Sequence, residues 1–312
     1  MAVHPIIREL LSSEQDLLPA TDTSSHWQRH GSSTKVSLAE DDLELSGVGF
    51  GEFEAGRLEG FSSLVGRWSY RGVTSGIKAY PEVQAAARRL ASDLGFGFTF
   101  DAWRNAVLLA VLKDHWEAHE LEPKTFVTIG DGYGFCGALI RRLVPRARLL
   151  QIDLPKILVF QVSTLLKSDP DAKLALLADT QDADVVFARP SEIESYSSDI
   201  DCAINMASMG EMTHGSILRY FEFLRKRSCD GSHFYCVNRE SKSHPDGTVI
   251  RFDHYPWKEA DETYLDGICP YCTHCWSSRG SGTGPRIAGF QIPFLQGFDG
   301  PFRHRLVRLA SE

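Results

Sequence analysis

No stretch of this 312-residue chain approaches the roughly 20 consecutive apolar residues of a membrane-spanning helix, so no membrane partner is expected. Runs of positive charge are equally scarce. None is longer than Arg225-Lys-Arg227, and the net charge is −8, which argues against a general nucleic-acid binder. The basic triplet has a simpler reading as cations in the last turn of a helix. The first residues, Met-Ala-Val-His-Pro-Ile-Ile-Arg-Glu, lack the basic-then-apolar plan of a secretion signal, so a cytoplasmic location is expected. The 7 cysteines are odd in number and mostly scattered, which suits reduced thiols rather than a disulfide framework. Cys269, Cys272 and Cys275 are the exception. Their C-x-x-C spacing, with His274 alongside, makes them a candidate zinc knuckle that would still need a distant fourth ligand. There is no internal repeat.

What is present is ordinary globular composition, 43% hydrophobic and 24% charged, and one informative segment. In Thr125-Phe-Val-Thr-Ile-Gly-Asp-Gly-Tyr-Gly134 a short apolar run breaks into glycines at alternate positions, and a helical pattern follows. That is a strand entering a nucleotide-binding turn, where the backbone adopts positive φ and a helix N-terminus offers free amides. A second apolar run, 147–152, ends in Asp153. A carboxylate at that strand tip is where a doubly wound fold grips ribose hydroxyls. A dinucleotide site in the Gly130, Gly132 register would want a small residue at 135, which is phenylalanine. The shifted frame, Gly132-Tyr-Gly134-Phe-Cys-Gly137, spells the pattern but sits two residues farther from the strand. A nicotinamide cofactor therefore stays open beside S-adenosyl-L-methionine, whose loops follow the unshifted G-x-G-x-G register.

Residues 1–118 precede the first strand and are expected to form a mainly helical N-terminal domain. Helices are predicted over 81–94, ending at Gly95, and 101–119, capped by Asp101 or Thr99. These helices are expected to pack on the catalytic domain or on a second subunit, a homodimer. Residues 119–312 then alternate strand and helix, which implies a parallel α/β sheet. Strands are predicted at 125–129, 147–152, 184–188, 202–205 and 233–237, with helices at 135–143, 156–167 and from 213. The segments 286–292 and 304–309 alternate and are read as a closing antiparallel hairpin. Two Gly/Ser/Pro-rich loops, 241–247 and 277–285, are candidate covers for a site.

Ligands of an open α/β sheet lie at the carboxyl ends of its strands. Collected there are Gly130-Asp-Gly132, Asp153-Leu-Pro155, Arg189-Pro-Ser191, Asn205 to Glu211 and Asn238-Arg-Glu240. Ile129-Gly-Asp-Gly-Tyr-Gly134, Ile152-Asp-Leu-Pro155, Asn205 to Met212 followed by Tyr220-Phe221, Val237-Asn-Arg239 and Phe252-Asp-His-Tyr-Pro-Trp257 together resemble the sugar O-methyltransferases, a branch of the class I S-adenosylmethionine-dependent enzymes. The resemblance covers roughly 120–258. It implies a Rossmann-like class I methyltransferase sheet and O-methylation of a sugar or glycosylated natural-product hydroxyl, with S-adenosyl-L-homocysteine as co-product. It places Gly130, Asp131, Gly132, Gly134, Asp153, Leu154, Ser191, Asn205 and Met206 at the cofactor. One position departs: Thr128 stands where such enzymes usually carry an acid, leaving Asp131 or backbone carbonyls to meet the methionine ammonium. That departure also admits an inactive, methyltransferase-like binding subunit.

A hydroxyl acceptor must lose its proton as it attacks, so a base is required. His214, at the start of the helix after strand four, is one candidate, imidazole being suited to proton transfer near neutral pH. Glu211 is the rival, although a carboxylate there also suits the helix N-terminus. His254, beside Asp253, is the third. Asn238 and Arg239 are candidate acceptor hydrogen bonders, with Tyr255 and Trp257 as surfaces for stacking a sugar ring. The acceptor itself is expected to be a small molecule.

Overall fold

The computed structural model describes residues 3–12, 24–30, 35–39, 42–46, 71–95, 97–178, 180, 182–276, 286–287, 289–291, 295–297 and 300–311. The loop expected at 277–285 and most of 40–70 lie outside these residues. Among the described residues no helix is long and apolar enough to cross a membrane.

Apolar runs bounded by turn residues build one eight-stranded sheet: β1 (Thr125–Ile129), β2 (Arg148–Ile152), β3 (Leu174–Leu176), β4 (Val185–Ala188), β5 (Ile200–Met206), β6 (Ser228–Arg239), β7 (Glu262–Ile268) and β8 (Phe302–Arg308). Their spatial order is β7-β8-β6-β5-β1-β2-β4-β3. The pairs from β6 across to β3 are parallel, and β8 runs antiparallel to both β6 and β7. The fold is thus a mostly parallel α/β sheet with an antiparallel C-terminal pair, as the sequence predicts. The partner of the last strand differs from expectation. Residues 286–287 form only a short ribbon with Phe290–Gln291, and β7 takes the sheet position. β7 is an edge strand with little burial and polar residues at Glu262, Thr263 and Asp266, so its sequence lacks the apolar alternation of a half-buried strand.

Seven helices matter here: α1 (Pro5–Ser12), α2 (Ser25–His30), α3 (Tyr80–Asp93), α4 (Phe100–Ala118), α5 (Phe135–Leu143), α6 (Pro155–Ser168) and α7 (His214–Lys226). Strand alternation divides the core. Phe126, Leu149, Phe187 and Ile204 face the side covered by α5 and α6, while Val127, Leu150, Val186 and Ala203 face α7. The N-terminal helices α1, α3 and α4 bury their apolar residues in the first of these clusters, so they pack on the sheet's own helices. α4 is apolar all round from Ala106 to Leu112, where it is covered on every side but for the half-buried Val111, and Thr99 caps it by accepting from the Ala102 amide at 3.1 Å. Asp114, an odd carboxylate on its apolar stripe, accepts the Lys78 and Ala79 amides at 2.7 and 2.8 Å just before α3. Opposite, Arg225 is buried and makes a two-pronged ion pair with Asp261 at 2.6 and 2.8 Å. The basic triplet is therefore only partly a solvated helix end.

Candidate functional site

The carboxyl ends of β1, β2, β4 and β5 open onto a cavity of about 630 Å³. Its floor is the glycine turn. Gly130, Gly132 and Gly134 all have positive φ, which a side chain would resist. At Gly130 an added Cβ would lie 2.1 Å from the Ser208 hydroxyl, and at Gly134 it would lie 2.9 Å from the Gln161 Cα. The turn therefore requires glycine for close packing as well as for its backbone.

Asp131 does something the sequence reading does not anticipate. Its carboxylate turns back onto the first turn of α5, accepting the Cys136 amide at 3.0 Å and the Gly137 amide at 2.7 Å, with Gln151 Nε2 at 3.1 Å. The chain thus places its own anion where a nucleotide pyrophosphate would bind a helix N-terminus. Burial pushes the Asp131 carboxyl up to about 7, against the lowering effect of those three hydrogen bonds.

Asp153 ends β2 at the cavity wall, as predicted. It accepts from the Leu154 amide at 2.8 Å and from Gln161 Nε2 at 2.7 Å. Burial raises it to about 8, opposed by the Leu154, Gly132 and Gln161 hydrogen bonds and reinforced by Asp131. Leu154, Gly130, Gly132 and Met206 also line the cavity; Gly134 starts α5 behind it. Ser191 stands off the wall, and its neighbour Pro190 is on it.

Asn205 and Asn238 lie beneath the cavity, both 0% exposed. Asn238 Nδ2 donates to Asn205 Oδ1 at 2.7 Å, Asn205 Nδ2 donates to the Ile129 carbonyl at 2.8 Å, and Asn238 Oδ1 receives the Gly210 amide at 3.2 Å. This amide bridge ties the ends of β1, β5 and β6 together and fixes the 206–211 turn. It positions the site without reaching into it.

Above that turn, Glu211 gathers basic groups. His26 Nε2 lies 3.4 Å from Glu211 Oε2, and Arg239 Nη1 and Lys242 Nζ lie 3.5 and 3.8 Å from Oε1. Ser24 Oγ donates to the Glu211 carbonyl, holding the start of α2 over the turn. His244 Nε2 donates to the Gly210 carbonyl at 2.9 Å and anchors the 241–251 ribbon that carries Lys242. Burial pushes the Glu211 carboxyl up, but His26, then Lys242 and Arg239, outweigh it and hold the group below the usual carboxylate range. All four side chains line the cavity.

The other predicted site residues fall elsewhere. His214 is exposed on the first turn of α7, which Thr213 caps. His254 is 60% exposed beside Asp253. Tyr255 and Trp257 pack with Phe221 and Phe252 in the core, Trp257 donating to the Phe252 carbonyl at 3.0 Å. Of the candidate knuckle, Cys269 and Cys272 are buried side by side, while the Cys275 side chain lies outside the described residues. Among the described residues no group of His, Cys, Asp or Glu is placed to hold a metal ion.

Not foreseen from the sequence are Ser24 just before α2, His26 and Trp27 within it, and Asp101, Arg104 and Asn105 of α4, all of which line the cavity. The α4 residues carry a signal, since all three are polar side chains in the first two turns of a helix that is apolar from Ala106 to Leu112. Asn105 Oδ1 and Thr128 Oγ1 are buried at the cavity with no hydrogen-bond partner among the described residues. Buried polar atoms of this kind are ordinarily satisfied by a water, an ion or a ligand.

No protein-family model matches the chain, and no curated protein matches it. Solved structures with some likeness include N-methyltransferase NodS from Bradyrhizobium japonicum WM9 in complex with S-adenosyl-L-homocysteine, at 12% identity and a TM-score of 0.41, covering 72% of this chain and 97% of that one. A precorrin-6y C5,15-methyltransferase from Geobacter metallireducens GS-15 is 12% identical with a TM-score of 0.39, covering 66% of this chain and 88% of that one. The Thermoplasma acidophilum 1320 protein is 11% identical with a TM-score of 0.43, covering 73% and 96%.

Proposed function

We propose that the chain is an S-adenosylmethionine-dependent methyltransferase acting on a hydroxyl of a sugar or glycosylated small molecule. The observation that carries this is the Asp131 carboxylate on the α5 amides, beside an open cavity bounded by Asp153. A dinucleotide would bring its pyrophosphate against that carboxylate, whereas a cofactor without phosphate meets no such conflict.

The residues present fit the cofactor. Asp153 would accept the ribose hydroxyls, and the Gly130–Gly134 backbone would wrap the amino-acid tail. The unpartnered Asn105 and Thr128 oxygens, with Asp101, would receive the ammonium where an acid at 128 is missing. When bound, the cofactor supplies an electrophilic methyl group on a sulfonium. Glu211 with His26 would take the proton of the acceptor hydroxyl, leaving its oxygen able to receive that methyl group. That base favours oxygen over an amine acceptor, which needs less help. The same reading has the chain work in the cytoplasm on a small molecule, as monomer or homodimer, without nucleic acid or membrane.

Titration calorimetry tests the proposal. Micromolar-class binding of S-adenosylmethionine or S-adenosylhomocysteine, sharply weakened in Asp153→Ala, is the expected result. Binding of neither, together with a fluorescence response to NADH, would replace it with the oxidoreductase reading.

A further inference from the structure

We infer that Cys269 and Cys272 are an oxidation site, a dithiol that hydrogen peroxide closes to an intramolecular disulfide and that other dithiols reopen. The inference is independent of the methyltransferase reading. In Cys269-Pro-Tyr-Cys272-Thr273 the Thr273 amide donates to the Cys269 carbonyl at 3.3 Å, closing a single helix-like turn. Residues three apart on such a turn have Cα atoms about 5 Å apart, inside the roughly 4.4–6.8 Å that a disulfide spans. Three further bonds hold the turn in that shape. Thr273 Oγ1 donates to the Cys269 carbonyl at 2.7 Å, the Cys269 amide donates to the Phe302 carbonyl at 2.7 Å, and the Phe302 amide donates to Thr273 Oγ1 at 3.3 Å. Both thiols are free and buried, while Pro270 between them is exposed. The sulfurs thus lie just beneath the surface, a depth suited to a small oxidant.

Their surroundings set them apart from the other thiols. Burial pushes the Cys269 thiol up, but its hydrogen bonds to Cys272 and then His304 outweigh this and bring it down to about 5. His304 is placed by Tyr235, whose Oη lies 3.1 Å from its Nδ1. The Cys272 thiol moves the other way, chiefly through the hydrogen bond to Cys269 and then through burial. The pair is one thiolate beside one thiol, the arrangement in which a C-x-x-C reacts. At Cys136, Cys202 and Cys236 burial dominates and keeps the thiols protonated. The Cys269 sulfur attacks one peroxide oxygen, the O–O bond breaks, one water leaves and a sulfenic acid remains. The Cys272 sulfur then displaces that hydroxyl as a second water while the S–S bond forms. The two sulfurs give up two electrons to the peroxide, and both thiol protons leave in the water.

The test takes the full-length protein, reduced and desalted, through hydrogen peroxide, denaturation in iodoacetamide and chymotrypsin, which cuts after Tyr271 and separates the two cysteines. Mass spectrometry should find them joined, with the pair lost to alkylation at least about tenfold faster than Cys136, Cys202 or Cys236, and dithiothreitol should restore both. Cys269→Ser and Cys272→Ser should each abolish the link, and Cys275→Ser should keep it. Where a variant fails to fold, the unaltered protein decides, since fragment ions must place the iodoacetamide label on Cys275 and not on Cys272. No link, a link through Cys275, loss of the pair no faster than of the other three, or oxidation that dithiothreitol does not reverse overturns the inference.

Discussion

Glu211 Oε2 lies 3.4 Å from His26 Nε2, joining the turn after β5 to a short helix near the start of the chain. A carboxylate paired this way can orient the imidazole and share the proton it collects. Glu211→Gln should keep cofactor affinity within about twofold and lower kcat by roughly 10²–10⁴ on an accepted substrate. An unchanged kcat would remove Glu211 and His26 from the chemistry.

Asp131 caps α5 from inside the glycine turn. Asp131→Ala should cost about 1–2 kcal/mol of stability through the exposed amides, with Asp131→Asn recovering part of it. Thermal melts of the three proteins check this, and equal stability for all three would show the cap to be idle.

The pH dependence follows from the two buried carboxyls. Asp131 at about 7 and Asp153 at about 8 hold protons more tightly folded than in the unfolded chain, where a carboxyl titrates near 4. Their favourable contribution is complete below that unfolded value and is lost as pH climbs through 7 and 8. The ligand-free protein should therefore melt several degrees lower at pH 8.5 than at pH 6. The Asp131→Asn, Asp153→Asn double variant should flatten that slope. A slope unchanged in the double variant would trace it to other groups.

Arg225 and Asp261 face each other with both side chains 2% exposed. Removing one partner strands a buried charge, so Arg225→Ala should lose about 3–5 kcal/mol, read as a large drop in the denaturant midpoint. A loss under about 1 kcal/mol would mean that water reaches the pair.

The sheet was legible because its information is local. Each central strand is an apolar run with a turn residue after it, and Gly130 to Gly134 announce the site by their spacing. The wall around Glu211 was not. His26 meets Glu211 only through the tertiary fold, and nothing around residue 26 has a periodicity that marks it. His214 and Trp257 sit in suggestive sequence contexts, yet one faces solvent and the other the core; chain position after a strand does not fix side-chain direction. Asn238 was found as a polar residue at a strand end but serves beneath the floor.

The coverage of the sheet by α1, α3 and α4 has a practical corollary. A version starting at residue 119 would bare the greasy flank of α5 and α6 together with the ring of Phe126, which otherwise meets Trp116. It would also discard the α2 and α4 side chains of the cleft. Such a fragment would behave as sticky, half-finished material.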